Sequence, residues 1–153
     1  MDTLDPAPYL VAFIEARAPE LAGKVAPAAD ECGLAPPFCL YTRVSGYRPN
    51  SHSGATGVSI VRYQVDVWDS DKDRGVRLAD AVTGTRASPG GLDNYRGRLP
   101  AAGVGGRAVF VQHARLLDGF EDAPPAAHGE HQTLHRASRD YRIAFNERLE
   151  DVP

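Results

Sequence analysis

Two glycine-rich stretches have the composition of loops that cradle phosphate. GATG occupies residues 54–57 and GVGG occupies residues 103–106. A phosphate loop presents backbone N–H groups at the start of a helix and is followed by a Lys and a Ser or Thr. Both stretches lead instead into strand-like segments. We therefore predict no nucleotide or other cofactor here, and we expect residues 47–57 to form the projecting tip of a β-hairpin.

Three histidines in HGEHQTLH have a spacing that resembles a set of metal ligands. They are His128, His131 and His135, and the last two would share one face of a helix. No helical pattern surrounds them, and no Glu lies between His131 and His135, as metalloprotease chemistry requires. We therefore predict solvated loop histidines and no metal site.

Nucleophilic catalysis has no recognisable motif in this chain. There is no Gly-x-Ser-x-Gly stretch, and Cys32 and Cys39 lack both a neighbouring His and the spacing of a zinc or redox motif, so they are predicted to be free thiols. The clustered carboxylates are interpreted as strand-end and helix-start residues; they are Asp66, Asp69, Asp71 and Asp73. The sequence predicts a protein that is not an enzyme.

Composition and charge exclude several classes of protein. The 153 residues are predicted to form a single domain, residues 1–153, with one core. A formal net charge of -3 argues against tight binding of nucleic acid. No apolar run approaches the roughly 20 residues that span a bilayer, and no export signal opens the chain, so we expect a soluble, non-exported protein.

Hydrophobic periodicity predicts two helices and four strands. Helices are expected over residues 6–17, with Asp5 as the N-cap, and over residues 71–83, with a stop at Gly84. The alternating segments FCLYTRVSGY and VSIVRYQVDVW predict a long antiparallel hairpin, and further strands are expected over residues 107–120 and around Tyr141. Residues 24–37 are expected to be an extended connection.

This order of elements predicts an α+β fold. We expect a mostly antiparallel four-stranded sheet with a long β-hairpin and two helices packed on one face. Such a sheet leaves its second face open. Trp68, on the face opposite Val65 and Val67, is either a packing residue of that second face or an anchor for a partner protein.

The segment from Pro36 to Val82 resembles a known family. The double proline before CLYTRVSG, the polar hairpin tip, the strand ending VRYQVDVWDSD and the helix GVRLADAV are similar to the tail completion or tail terminator proteins of long-tailed bacteriophages and gene transfer agents. The ending RASRDYRIAF also resembles that family's last strand. The resemblance implies a structural protein of the particle's neck, without catalysis.

What the resemblance implies about partners follows from this role. The expected assembly is a homo-oligomeric ring of six copies that caps the tail tube protein and meets the head-side connector or stopper protein. It would be built in the bacterial cytoplasm and reside in the virion or phage-like particle. With -3 per copy, a negative pore would let DNA pass without specific binding.

Six residues are candidates for contact with these partners. Tyr47, Arg48 and Asn50 lie at the predicted hairpin tip, and Trp68 lies on the open face. Glu121 and Asp122 lie in an acidic stretch, residues 117–130, which is interpreted either as a pore-facing or tube-facing loop or as a solvated loop.

Two other functions remain open. One is a different neck or connector protein of the same particle. The other is a small-molecule-binding α+β domain, with a metal site in the His-rich segment 128–135 and a pocket between the sheet and residues 86–106.

Overall fold

The computed structural model describes residues 5–30, 34–51, 54–55, 57–99, 107–123 and 134–151. Two α-helices lie within them: α1 (Ala7–Arg17) and α2 (Lys72–Thr83). Short 3₁₀ turns occupy Pro19–Leu21 and Ala28–Asp30. The strands are β1 (Val25–Pro27), β2 (Phe38–Tyr47), β3 (Asn50–Ser51), β4 (Gly54–Ala55), β5 (Val58–Asp69), β6 (Gly97–Arg98), β7 (Arg107–Ala108), β8 (Phe110–Asp122), β9 (His135–Asn146) and β10 (Glu150–Asp151).

The main sheet has six strands in the order β1-β2-β5-β9-β8-β6. The four long strands are antiparallel neighbours, whereas β1 runs parallel to β2. The α+β class with two helices is confirmed. The predicted four-stranded sheet is not: the short strands β1 and β6 extend it to six, and β1 makes it mixed. Two small ribbons, β3–β4 and β7–β10, stand beside it.

One face of the sheet carries the core. Strand β5 alternates as predicted, with Val61, Tyr63, Val65 and Val67 buried on one face. Their cross-strand partners on β9, such as Ile143 and Tyr141, are buried on the same face. The buried side chains of both helices belong to this same cluster, among them Leu10, Ile14, Leu78 and Val82. Burial of this apolar surface is the main source of stability.

Aspartate side chains bond to N–H groups in the first turn of both helices. The Asp5 carboxylate accepts a hydrogen bond from the Ala7 N–H at 3.0 Å, but the N-cap is Pro6, so Asp5 lies one residue before the N-cap and the prediction that it is the N-cap is wrong. Asp71 is the N-cap of α2 and accepts the N–H groups of Asp73 and Arg74. Gly84 ends that helix with a φ of 94°, a conformation that favours glycine.

A single arginine links the two helices. Arg17, in the last turn of α1, donates from Nε to the Ala81 carbonyl at 2.8 Å. Its Nη atoms donate to the carbonyls of Ser88 and Pro89 at 2.9 and 3.1 Å. The end of α1 therefore holds the turn that follows α2.

Candidate interaction surface

The predicted hairpin exists, and its tip contains a second small ribbon. Strand β2 ends at Tyr47, whose side chain is 59% exposed. Beyond it, Asn50 pairs with Ala55 across the β3–β4 ribbon. Residues 52, 53 and 56 lie outside the described residues. The tip therefore extends beyond Tyr47 and Ile60, the last residue pair between β2 and β5.

Arg48 anchors the base of this tip. Its Nε lies 2.5 Å from Glu147 Oε1, and the same carboxylate accepts a hydrogen bond from Ser59 Oγ at 2.5 Å. The Glu147 N–H donates to the Gly57 carbonyl at 2.9 Å. Of the three tip residues predicted to be available for partners, Arg48 is thus engaged within its own chain, whereas Tyr47 presents its ring to solvent.

The open face of the sheet carries an aromatic–arginine cluster, defined here as Phe38, Trp68, Phe120, Asp122 and Arg136. Trp68 stacks on Phe38 at 6.2 Å between ring centroids and an interplanar angle of 13°. The Arg136 guanidinium lies 5.4 Å from the Trp68 ring and 5.2 Å from the Phe120 ring. Trp68 is therefore half-buried as a packing residue of the second face; its Nε1–H is buried and has no acceptor among the described residues.

Asp122 holds Arg136 between the two rings. The guanidinium donates from Nε at 2.9 Å and from Nη2 at 2.5 Å to the two carboxylate oxygens. This bidentate hydrogen bond raises the pKa of Arg136, against the opposing effect of burial. Asp122 is thus part of a cross-strand ion pair on the sheet.

Glu121 points to the opposite face and pairs with Arg139. The Arg139 side chain is 8% exposed, and its Nη2 lies 2.8 Å from Glu121 Oε1 and 3.1 Å from Asp80 Oδ1. Burial lowers the pKa of Arg139, but the two carboxylates outweigh burial and the pKa is raised. The strand predicted to end at residue 120 is confirmed there and continues to Asp122, so the alternative interpretation of residues 117–122 as loop is wrong. They form the end of strand β8, and residues 124–130 lie outside the described residues.

Two stretches of sheet edge have no partner strand among the described residues. On β2, strand β1 pairs only with residues 39–41, which leaves residues 42–47 as an edge. On β8, strand β6 pairs only with residues 110 and 111, and the Ala114 and Leu116 N–H groups bond to Tyr95 and Asp93. Residues 117–122 therefore form the second edge. We call them the β2 edge (residues 42–47) and the β8 edge (residues 117–122).

These two edges share a pattern of exposed apolar side chains. The large apolar residues that are strongly exposed in the described chain are Val44 (50%), Tyr47 (59%), Leu117 (44%) and Phe120 (44%). The register shifts at Val44 and at Leu117, so each of them is the extra residue of a β-bulge. Each edge thus carries an exposed aliphatic residue at a bulge and an exposed aromatic residue three positions later.

The residues considered for chemistry do not assemble into a reactive centre in the described part of the chain. Asp69 is buried at the end of β5 and pairs with Arg74 through two bonds of 2.6 and 2.7 Å. Asp71 lies at the start of α2, as predicted, and is its N-cap rather than a first-turn residue. Cys39 is a buried free thiol whose pKa is raised by burial. Cys32 lies outside the described residues.

The structure describes only part of the ligand site considered from the sequence. His135 begins β9 and is half-buried, while His128 and His131 lie outside the described residues. Within the described ranges, no three His, Cys, Asp or Glu residues are grouped to hold a metal. A cavity of about 370 Å³ is lined by α2 and the turn after it, including Asp73, Asp80 and Ser88, rather than by the sheet. No helix in the described residues has the length and apolar character to cross a bilayer.

The fold defines an α+β protein whose exposed features are strand edges and a hairpin tip. The chain matches no family model and no curated protein. Among solved structures, its fold is similar to that of a chain in the virion of a native gene transfer agent particle, with a TM-score of 0.52 and 13% sequence identity. The match covers 94% of this chain and 95% of that one. At this identity the likeness concerns the fold.

Proposed function

We propose that this protein is a structural assembly protein of a phage-like particle: a tail terminator that forms a ring, caps the tail tube and joins it to the head-side connector. The observation that carries the proposal is the fold likeness to a chain of a gene transfer agent virion, which extends over nearly the whole of both chains. The resemblance of residues 36–82 to tail terminators supports the same conclusion from sequence. The chain acts as one tail-terminator-like domain, residues 1–153.

The proposed partners follow from this role. Six copies meet one another in the ring, one surface of the ring meets the tail tube protein, and the other meets the head-side connector. DNA passes through the ring without specific binding, because each copy contributes a net charge of -3. The protein acts by shape and self-association, without catalysis or a cofactor, in a particle assembled in the bacterial cytoplasm.

The hairpin tip supplies one contact in this proposal. It projects beyond the sheet, and Tyr47 and Asn50 are placed at and beyond the end of the long hairpin. Projecting loops of this kind suit contacts between different surfaces of neighbouring subunits. We assign the tip to a neighbouring copy or to the tail tube.

The test is removal of the gene from cells that produce the particle. The expected result is particles with overlong or headless tails, rescued by a plasmid copy, with the protein found at the head-proximal end of the tail by immunogold electron microscopy. Mass spectrometry of purified particles provides the control for incorporation. A protein absent from particles whose tails have normal length would overturn the proposal.

The second candidate is a different connector or neck protein of the same particle. The likeness to a virion chain favours it equally, because the fold alone does not distinguish neighbouring rings of a neck. This role would be identified instead if immunogold label lay at the head portal. Cells without the gene would then make capped tails of normal length that fail to join heads.

A further inference from the structure

We propose that neighbouring copies join edge to edge, with the β2 edge of one copy adding to the β8 edge of the next so that the sheets become continuous. The inference deepens the proposed function, because it names the residues that form the ring contact. An unpaired strand edge offers a row of N–H and C=O groups, and natural proteins protect such edges or use them for pairing. In the β8 edge the Gly119 N–H donates to Asp118 Oδ1 at 2.8 Å, a local bond that pairing would replace. Here both edges are also where the exposed apolar residues lie.

The directions of the strands permit this pairing. In the sheet order, β2 and β9 run in the same direction and β8 runs opposite to them. Copies related by rotation about a ring axis along the strands keep these directions. The β2 edge of one copy therefore meets the β8 edge of the next as an antiparallel pair.

One antiparallel register matches the side chains of the two edges. When the bulge residues Val44 and Ser45 lie opposite Phe120, Tyr47 lies opposite Asp118 and beside the bulge residue Leu117. Val44 then faces Phe120 and Tyr47 lies beside Leu117, and cross-strand contacts of aliphatic with aromatic side chains stabilise sheets. All four side chains lie on bulges or on the open-face side of their strands: Tyr47 pairs with Ile60, and Phe120 pairs with Ser138.

The same register also satisfies the charges. It places Arg43 opposite Glu121, and both lie on the core side of their strands, since their partners are Tyr63 and Ala137. Arg43 is exposed, and the Glu121 side chain is 40% exposed although it already contacts Arg139. The β8 edge has three carboxylates and no basic residue, whereas Arg43 is the sole charge of the β2 edge.

The offset between the two edges is compatible with closure. Arg43 is aligned across the sheet with Tyr63 and Tyr141, whereas its partner in this register, Glu121, is aligned with Ala137. Four residues correspond to roughly 13 Å along a strand, and four strand spacings correspond to about 19 Å across the sheet. A strand tilt of roughly 35° to the ring axis absorbs this offset, at the lower end of the tilts of closed β-barrels. The edges can therefore meet in a ring without a helical rise.

The test is disulfide trapping between Tyr47→Cys and Leu117→Cys, both at exposed positions, in a Cys32→Ser background. Purified chains that carry one substitution each are mixed and oxidised. Disulfide-linked dimers accumulate even when pairing is weak, because each disulfide persists once it has formed. The expected result is dimers from the mixture, about tenfold more than from either chain alone because pairing raises the local thiol concentration. A chain carrying both substitutions gives a ladder of oligomers.

A matched control and a charge variant complete the design. Arg77→Cys, on the exposed side of α2, replaces Tyr47→Cys and gives only the background level of dimer. Arg43→Glu on the Tyr47→Cys chain reduces the trapped dimer several-fold at low salt. Equal yields from the mixture, the single chains and the Arg77→Cys control would overturn edge pairing.

The two proposals fail in different ways. Trapped dimers from a protein that is absent from purified particles would support edge pairing and overturn the proposed function. Incorporation into particles without trapping, either in solution or after oxidation of the particles, would support the proposed function and overturn edge pairing.

Discussion

Gly119 lies directly opposite Arg139 on the neighbouring strand β9, and a Cβ atom at position 119 would stand 2.9 Å from Arg139 Cδ. It would also stand 3.2 Å from the Ser138 carbonyl oxygen. The absence of a side chain on β8 thus makes room for the buried arginine that Glu121 and Asp80 hold.

We expect Gly119→Ala to lower the free energy of unfolding by about 1–3 kcal/mol, because the added methyl group displaces a side chain that is fixed by two carboxylates. Urea unfolding followed by circular dichroism measures the change. Leu117→Ala, at an exposed position of the same edge, is the control and should change stability by about 0.5 kcal/mol or less. Equal losses in the two variants would contradict the role of Gly119.

Charge reversal should have different effects on stability at two of the three acidic residues of the β8 edge, Glu121 and Asp122. Glu121→Lys places a cation beside the buried Arg139 and should cost about 2–3 kcal/mol. Asp122→Lys disrupts a more exposed pair, Asp122–Arg136, and should cost about 1 kcal/mol. Thermal unfolding of both variants checks the order, and a larger loss at position 122 would disprove it.

Acid stability should depend on Asp69. Burial raises the pKa of its carboxyl, but the bonds from Arg74 and from the Asp71 N–H outweigh burial and lower the pKa. A lowered folded pKa means that the carboxylate stabilises the fold above its unfolded pKa of about 4, and that this contribution is lost as pH falls through the folded pKa.

Asp69→Asn should therefore destabilise the protein by about 2 kcal/mol at neutral pH and flatten the loss of stability below about pH 4. Urea unfolding at a series of pH values gives both quantities. Asp71→Asn is the matched control, since Asn is an equally good helix cap and should leave neutral-pH stability nearly unchanged. A variant at position 69 with the full acid dependence of the natural chain would contradict this prediction.

Arg17→Lys should loosen the turn after α2. Lysine keeps the charge but cannot reach the carbonyls of Ala81, Ser88 and Pro89 with three separate donors. We expect a loss of about 1–2 kcal/mol and faster hydrogen exchange at Leu92 and Asp93, whose N–H groups bond to the end of α2. Arg77→Lys, an exposed arginine on α2, should leave exchange at these amides unchanged.

Deletion of Pro49 to Ala55 should leave a folded protein that fails to cap tails. The β3–β4 ribbon pairs with itself, and the Arg48–Glu147 pair at its base is retained. Circular dichroism and thermal unfolding measure the fold, and electron microscopy measures tail length in cells that carry the variant. Tails of normal length would show that the tip is not required for capping.

The long elements were predictable from sequence because their signals are local. Helix α2 lies within one residue of its predicted bounds, since Asp71 and Gly84 mark its ends and an apolar stripe lies between them. The alternation in β5 predicted which residues are buried. The short strands were missed because Val25–Pro27 is too brief for a period of two and pairs with β2 only through tertiary packing.

The candidate surface was only partly predictable, for a related physical reason. Residues 117–122 were interpreted as loop because carboxylates without cations suggest solvation. Their partners, Arg136 and Arg139, lie on another strand and become neighbours only when β8 and β9 pair. The exposed apolar residues of the two edges depend on bulges, which have no signature in the order of residues alone.

The opposite charges of the β2 edge and the β8 edge disfavour a dimer with two-fold symmetry. A dimer with two-fold symmetry would pair an edge with the same edge of a second copy. Two β2 edges would bring together the Arg43 side chains of both chains, and two β8 edges would bring together three carboxylates from each chain. Like charges opposed across strands are unfavourable. Electrostatic repulsion would therefore keep two-fold dimers scarce. Monomers would remain available for the β2-to-β8 pairing that forms the ring. Raising the salt concentration should weaken this discrimination.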